Sequence, residues 1–524
     1  MNSVQNHPLL WSSAAGVLLG LSFSPFNVFI ALIPAFSIIL YLAQSTDSFR
    51  RAMYLTFPAV LSWNIVATYW LTFATVGGGV AAILANSVIM TIPLALGGLF
   101  IRKNWNPVLT AILVAGAWVG YEFLHFRWDL AWPWLVAGNS MANYPYLIQY
   151  VSISGVLGVS FWILSVSALL TILIRDRQSG TPDLKLVSLA IGWFLLLPGI
   201  SLVMYYTIDF ESDTSIEVVV VQPNYDSYLP NAGYPDVDTP LREIIELTDS
   251  AMTTNTKYVF WPENALQADV HGTSSRYPSV RMIEFARIWN TTLVTGATWY
   301  NYYDKDGEVP PFSRFTNNQE PYNIFNAALA YHPNGKIDTY EKANLVPIVE
   351  RLPFYGVLSM IPGVDWIRWM GYGKGSEIVN FSSGETSTPA MICYDSVFPD
   401  WVRRHVKEGA DFIAVITNDG WWGDSSGHTQ HFDFARIRAI ETHRTVVRSA
   451  NNGISGMILA NGKIASETEY WTQTTLNLEV PLHTKMTFYT LYGDWIGWFS
   501  LFAVAVGLLY SLNQRRTRLS ESKQ

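Results

Sequence analysis

Three side chains in this sequence have the chemistry for acyl transfer if they meet. Cys393, the only cysteine among 524 residues, ends the apolar run in "STPAMICYD" (387–395). Glu263 follows a second apolar run in "YVFWPEN" (258–264), and Lys342 lies in "YEKANLVPIVE" (340–350). A thiol attacks a carbonyl better than water does. A carboxylate beside it can take the thiol proton and return it to the leaving group, and an ammonium can hold the oxygen that gains charge. The backbone N–H after Cys393 can act as a second donor to that oxygen. Taken singly, the three read as a loop carboxylate, a surface cation and a small core residue. Together they need neither metal nor organic cofactor.

Such a trio converges only if a scaffold brings distant segments together, and the surrounding sequence predicts one. Runs at 216–224, 258–264, 291–300, 322–332, 387–395, 411–419 and 453–464 read as strands, several of them apolar without alternation and therefore buried on both faces. Helical patterns fall at 238–254, 275–289, 396–408 and 430–445. The alternation predicts an α/β domain over 208–485, its sheets covered by helices, with Glu263, Lys342 and Cys393 at strand ends facing a common crevice. No internal repeat or low-complexity tract interrupts it.

The rest of the chain belongs to a different solvent. Half of all residues are hydrophobic, 14% are charged and 21 are tryptophan, a composition far from that of an ordinary soluble protein. Apolar runs near 9–24, 28–43, 55–73, 79–101, 107–124, 150–174, 186–207 and 494–511 are each about long enough to cross ~30 Å of hydrocarbon. The expected organisation is a seven-helix transmembrane domain over 1–207, the α/β domain, and a last span with its tail over 486–524. With eight spans, Arg50, Arg51, Arg102, Lys103, Arg175, Arg177, Lys185, Arg515, Arg516 and Arg518 fall on one side. Retention of Lys and Arg in the cytoplasm then predicts cytoplasmic termini and an extracytoplasmic α/β domain. A formal charge of −8 without clustered Lys and Arg excludes a nucleic-acid partner.

Beyond the Glu–Lys–Cys set, the blocks "WDLAWPWLVAGN" (128–139), "LVPIVE", "TNDGWWG", "HFDFARIRAIETHRTVVRSANNGISG" and "YGDW" agree in order and spacing with one family. The chain resembles the apolipoprotein N-acyltransferases, the membrane branch of the carbon–nitrogen hydrolase (nitrilase) superfamily, over nearly its full length. The resemblance implies a nitrilase-like αββα sandwich and assigns Glu263 as general base, Lys342 as oxyanion stabiliser and Cys393 as acylated nucleophile. Glu350, Tyr394 and Asp395 take supporting places, and Trp421 and Trp422 line the substrate pocket. The sequence departs from the family at Asp395, where Glu is usual, and at Ile348-Val349-Glu350, where Phe-Gly-Glu is commoner. The implied reaction moves an acyl chain from a phospholipid, phosphatidylethanolamine, through a cysteine thioester to the N-terminal amine of a diacylglyceryl-cysteine apolipoprotein. This is the last step of bacterial lipoprotein maturation, carried out in the inner membrane by a monomer with its catalytic domain in the periplasm.

A glycine-punctuated, aromatic-rich segment at 351–375 reads either as a lid touching lipid, anchored by Trp366 and Trp369, or as a buried hairpin. His428 and His431 lie three apart on a helical pattern, yet no third metal ligand is evident. Arg438, Glu441 and Arg448 read as a buried ion-pair frame, and Glu122 as an intramembrane carboxylate near the outer end of its span, within reach of water. Two other functions compete. A membrane-tethered amidase would use the same three residues with water as acceptor, but a tether needs one span rather than eight. A transporter with a sensory outer domain would carry ionisable residues at mid-membrane, and these spans have few.

Overall fold

The apolar runs of the first 208 residues have few side chains that could solvate an open backbone, so they satisfy their N–H and C=O groups within helices. In the computed structural model the main ones are Pro8–Gly20, Leu32–Gln44, Phe49–Thr68, Val76–Arg102, Pro107–His125, Val156–Arg177 and Leu184–Thr207, with Trp495–Glu521 at the far end. The structure describes residues 2–521 except 178–179, 181–182, 211, 213, 230–232, 237, 267–275, 305–306, 308, 311–312, 359 and 364–370. Residues 1–208 and 492–524 form one compact unit and residues 209–491 another. Five of the described helices are long and apolar enough to cross a membrane: Val76–Arg102, Pro107–His125, Val156–Arg177, Leu184–Thr207 and Trp495–Gln514. The apolar helices at 8–20 and 29–44 are shorter. Local chemistry sets the ends. Asn106 caps Pro107–His125 by accepting from Val108 N and Leu109 N, and proline occupies the first turn, where its missing N–H costs nothing.

Glu122 does not reach water. It is 2% exposed, and its Oε1 accepts from Trp118 Nε1 at 2.6 Å and from Ala137 N at 2.7 Å. Short 3₁₀ turns at 133–135 and 137–141 bring that second donor, a backbone fold that helix spacing in the sequence does not announce.

The second unit contains strands β1 (Ser215–Gln222), β2 (Thr256–Phe260), β3 (Thr292–Tyr302), β4 (Arg314–Phe315), β5 (Pro321–Tyr331), β6 (Ile337–Glu341), β7 (Phe381–Ser383), β8 (Thr386–Thr388), β9 (Ala390–Ile392), β10 (Ile413–Thr417), β11 (Val446–Ala450), β12 (Gly456–Ile458), β13 (Ile464–Glu467) and β14 (Thr474–Pro481). One large sheet runs β14-β1-β2-β3-β5-β4 with β6 also on β5, a second runs β13-β12-β11-β10-β9, and β7 and β8 form a separate two-stranded ribbon. β1, β2 and β3 are parallel neighbours, as are β9, β10 and β11.

Alternation along each strand stacks these sheets. Val218, Val220, Tyr258, Phe260, Val294, Ala328 and Ala330 of the first sheet share one core with Ala390, Ile392, Ala414, Ile416 and Val447 of the second. Their neighbours Val219, Val221, Val259, Leu293 and Leu329 face outward onto Leu241, Ile244, Met282 and Phe285 of helices 238–251 and 276–289. Met391, Ile413, Val415 and Val446 pack on Val402, Val406, Phe432 and Ala435 of helices 399–407 and 426–442. Helix, sheet, sheet, helix is the αββα sandwich. Because both faces of each sheet are covered, the strands read as continuous apolar runs.

Candidate active site

Each of the three chemistry-bearing residues leaves its strand within a few positions of the end. Glu263 comes three residues after β2, Lys342 one after β6 and Cys393 one after β9. Glu263 is seated by the absence of a side chain on β3. A Cβ on Gly296 would lie 2.5 Å from Glu263 Cα and 2.6 Å from Asn264 N, so only glycine lets the two backbones approach.

Lys342 is the hub. Its Nζ donates to Glu263 Oε1 at 3.1 Å and to Glu350 Oε1 at 2.7 Å while the side chain is 1% exposed. Asn326 Nδ2 donates to the same two oxygens, at 2.7 and 3.2 Å. The remaining oxygens take backbone donors: Asn418 N to Glu263 Oε2 at 3.0 Å, and Val346 N to Glu350 Oε2 at 2.8 Å. Burial alone would lower the Lys342 pKa, but the Glu263 and Glu350 carboxylates, with Cys393, outweigh it and hold the amine well above its ordinary value. It is an ammonium at any working pH. The thiol is the opposite case. Burial, then the negative charge of Glu263, push Cys393 well above the ordinary cysteine range against the pull of Lys342, so the resting group is a neutral thiol that needs a base.

Cys393 has φ 45°, the left-handed region that costs a non-glycine residue about 1–2 kcal/mol. Strand, left-handed nucleophile and 3₁₀ turn Cys393–Val397 form a sharp elbow. Asp395, two residues on, is fully buried and accepts from Tyr340 OH at 2.8 Å, Asn344 N at 2.7 Å and Asn344 Nδ2 at 2.9 Å. The shorter acid thus ties the elbow to the loop that follows Lys342. Burial raises its pKa to about 6, with Lys342 pulling the other way. In the loop between Lys342 and Glu350, Ile348 adopts φ 70°, a costly conformation for a β-branched residue.

Behind the elbow, Asp419, His431 and Arg448 are buried together. Asp419 pairs with Arg448, whereas Arg438 pairs with Glu441 at 2.7 Å; the expected single frame is two separate pairs. Burial pushes Asp419 up, but Arg448 and His431 outweigh it and leave the carboxyl well below its usual range. One ligand-capable atom each of Cys393, Asp419 and His431 lies within 4.8 Å of the others. Arg448 Nη2, however, sits 2.9 Å from His431 Nδ1 as well as on Asp419, and its guanidinium already supplies the cation an acidic pocket would recruit. His428 points elsewhere, stacked on Tyr470 at 4.0 Å, so the two histidines do not share a ligand.

A cavity of about 220 Å³ opens beside Glu263, lined by Ser227, Thr298, Asn418, Trp421 and Asn451 among others. Trp421 is on its wall. Trp422 faces His431, ring centroids 5.8 Å apart. Tyr394 is buried within the elbow, and Trp366 and Trp369 lie outside the described residues. Sequence reading missed Asn326, which bridges both carboxylates. Its signal was present: in β5 it shares the parity of Ala328 and Ala330, the inner face, where a polar residue must have a partner.

Two family models match this chain: the apolipoprotein N-acyltransferase N-terminal domain over residues 15–169, and carbon–nitrogen hydrolase over residues 218–485. The chain is 27% identical to the apolipoprotein N-acyltransferase of Chlorobaculum tepidum over 524 residues, 94% of each chain. It is also 27% identical to that of Geobacter metallireducens over 518 residues, 96% of this chain and 95% of the relative. Among solved structures, Nit3 of Saccharomyces cerevisiae, a nitrilase superfamily member, aligns with 52% of this chain and 92% of its own at 17% identity and a TM-score of 0.37.

Proposed function

This chain belongs to the carbon–nitrogen hydrolase family, in its apolipoprotein N-acyltransferase branch, and on that premise we propose that Glu263, Lys342 and Cys393 transfer an acyl chain from a phospholipid to the N-terminal amine of a diacylglyceryl-cysteine apolipoprotein. The observation that carries the residue roles is the buried hub, one ammonium held between two carboxylates with the neutral thiol inside its field.

In the first half-reaction the Cys393 sulfur bonds to the ester carbonyl carbon as its proton passes to Glu263. The oxygen gains charge facing Lys342 and the Tyr394 N–H. Collapse breaks the ester C–O bond, and Glu263 returns the proton to the departing lysophospholipid hydroxyl. In the second, the acceptor amine bonds to the thioester carbon, Glu263 takes a proton from the nitrogen, and collapse breaks C–S as Glu263 passes that proton to the departing sulfur, regenerating the thiol and the carboxylate. The product is an amide. Glu350 and Asn326 keep Lys342 and Glu263 in register, and burial of all three reacting groups disfavours water as acceptor.

The donor we favour is phosphatidylethanolamine. The chain acts as a monomer in the inner membrane, residues 209–491 on the periplasmic side and both termini in the cytoplasm, a placement supported by the one-sided distribution of Arg and Lys. The segment after Glu350 serves as a lid on the lipid surface with Trp366 and Trp369 as anchors. Phe354, Val357, Met360 and Ile361 are all exposed, an apolar concentration that a soluble loop would avoid. Mass spectrometry of the full chain incubated with phosphatidylethanolamine tests the reading. One acyl adduct is expected on Cys393, discharged by a diacylglyceryl-cysteine peptide and only slowly by water, and absent in Cys393→Ala and Glu263→Gln. An adduct on another residue, or none, overturns it.

A further inference from the structure

The Cys393 carbonyl and the Tyr394 N–H are two ends of one planar trans peptide unit, so whatever grips the oxygen also aims the hydrogen the opposite way. The oxygen is gripped twice. Ser396 Oγ donates to it at 2.7 Å and His431 Nε2 at 3.2 Å, and those two donors are 3.1 Å apart. The ring cannot easily swing away. Its Nδ1 lies 3.0 Å from Asp419 Oδ1 and 2.9 Å from Arg448 Nη2. Asp419 in turn accepts from Thr417 Oγ1 at 2.8 Å, and Arg448 Nε donates to Ile454 O at 3.1 Å. Ser396, Asp419, His431 and Arg448 are buried, and the transfer steps use none of them.

We propose that His431 and Ser396 are positioning residues that set the Tyr394 N–H as the second oxyanion donor, with Asp419 and Arg448 fixing the imidazole. Two physical consequences support the assignment. A hydrogen bond to the carbonyl polarises the peptide and strengthens the N–H at its other end. The left-handed φ of Cys393, disfavoured for any residue with a Cβ, requires an outside hold, and these donors supply it. Ser396, His431 and Asp419 have the spacing of a nucleophilic triad. With the Ser396 hydroxyl hydrogen committed to a backbone carbonyl, the trio holds a peptide rather than attacking substrate.

The inference rests on Cys393 being the acylated group but not on lipid being the donor, and the test separates the two. Full-length protein is given a p-nitrophenyl acyl ester, which reports acyl-enzyme formation, and separately iodoacetamide, which alkylates the thiol without forming an oxyanion. His431→Phe is expected to slow acylation about 10²-fold, the usual loss for one oxyanion donor. Its KM and its alkylation rate should stay within about threefold of the parent values. His431→Gln, whose amide N–H can reach the carbonyl, should recover at least about tenfold of the loss. Ser396→Ala, which removes the smaller donor, should cost about tenfold and serves if the phenylalanine variant does not accumulate. Acylation at the parent rate in His431→Phe or in Ser396→Ala overturns the proposal, as does a parallel fall in alkylation or glutamine behaving like phenylalanine. Parent protein that acylates from the ester but not from phosphatidylethanolamine vesicles would sink the lipid reading and leave this one intact.

Discussion

Replacing Lys342 by methionine separates two jobs that one ammonium does in this site. The side chain is 1% exposed and bonds Glu263 and Glu350 at 3.1 and 2.7 Å. Removing one partner of a buried ion pair costs about 3–5 kcal/mol. At about 2–4 °C per kcal/mol for a unit of this size, that is roughly 6–20 °C in Tm. Loss of the oxyanion charge should separately slow acylation about 10²–10³-fold. The pH dependence has a definite sign. In the parent the lysine pKa is raised, so its contribution to stability is complete below the ordinary lysine value and lost only as pH rises through the folded one. In Lys342→Met two carboxylates face each other without a cation, and one is driven to bind a proton, so the deficit shrinks as pH falls. Adding Glu350→Gln removes one of the two charges and should restore most of the lost Tm while leaving acylation slow. Thermal unfolding followed by tryptophan fluorescence at pH 5.5 and 8, beside thioester mass spectrometry, measures both. Recovery of acylation in the double variant to within about tenfold of the parent would show that Lys342 only neutralises Glu350, and would refute the oxyanion role.

Asp395→Asn should gain stability and lose rate. Burial raises Asp395 from 3.8 to about 6, so the folded state binds more protons between those values and the ionised acid costs up to ~3 kcal/mol at pH 7. Denaturant unfolding should show a gain at pH 7.5 that vanishes near pH 4, with slower acylation because Asn344 loses its anionic acceptor; no gain at pH 7.5 contradicts this. Gly296→Ala forces a Cβ onto the Glu263 backbone at 2.5 Å and should cost about 10² in acylation with the fold retained; a parent-like rate would mean that the seat of Glu263 is not set there. Val357→Asp with Met360→Asp should slow transfer from vesicles about tenfold while leaving the p-nitrophenyl ester burst unchanged. Equal effects on both substrates would remove the lid.

The layered fold was legible because doubly covered sheets leave apolar runs with sharp ends, and β1, β3, β5 and β10 fall inside the predicted runs or within two residues of them. What escaped was short or half-exposed. β14 reads "TTLNLEVP" with Glu479 exposed, and only its antiparallel pairing with β1 makes it a strand. Likewise β4 and β7 have two and three residues, too few for periodicity to register.

The site divides along the same line, between what a residue is and what it meets. Glu263 and Cys393 could be picked out because each is a reactive type close to the end of an apolar run, a local property. Lys342 follows the polar strand β6, "IDTYE", which periodicity does not announce, and its place came from the family resemblance. Partnership is not local. Sequence grouped Arg448 with Arg438 and Glu441, its neighbours in the chain, whereas its carboxylate is Asp419, carried on another strand's end and brought alongside by the parallel β10–β11 pair. Glu122 was expected to find water at the end of its helix, and instead found the backbone N–H of Ala137. In both cases a buried ionisable group had to be satisfied, so the existence of a partner could be inferred from chemistry alone; its identity required the fold. Asn326 sits between these cases. Its inward parity along β5 was readable, and an inward polar residue among alanines between two sheets must have a hydrogen-bond partner opposite it, which the fold identifies as Glu263 and Glu350.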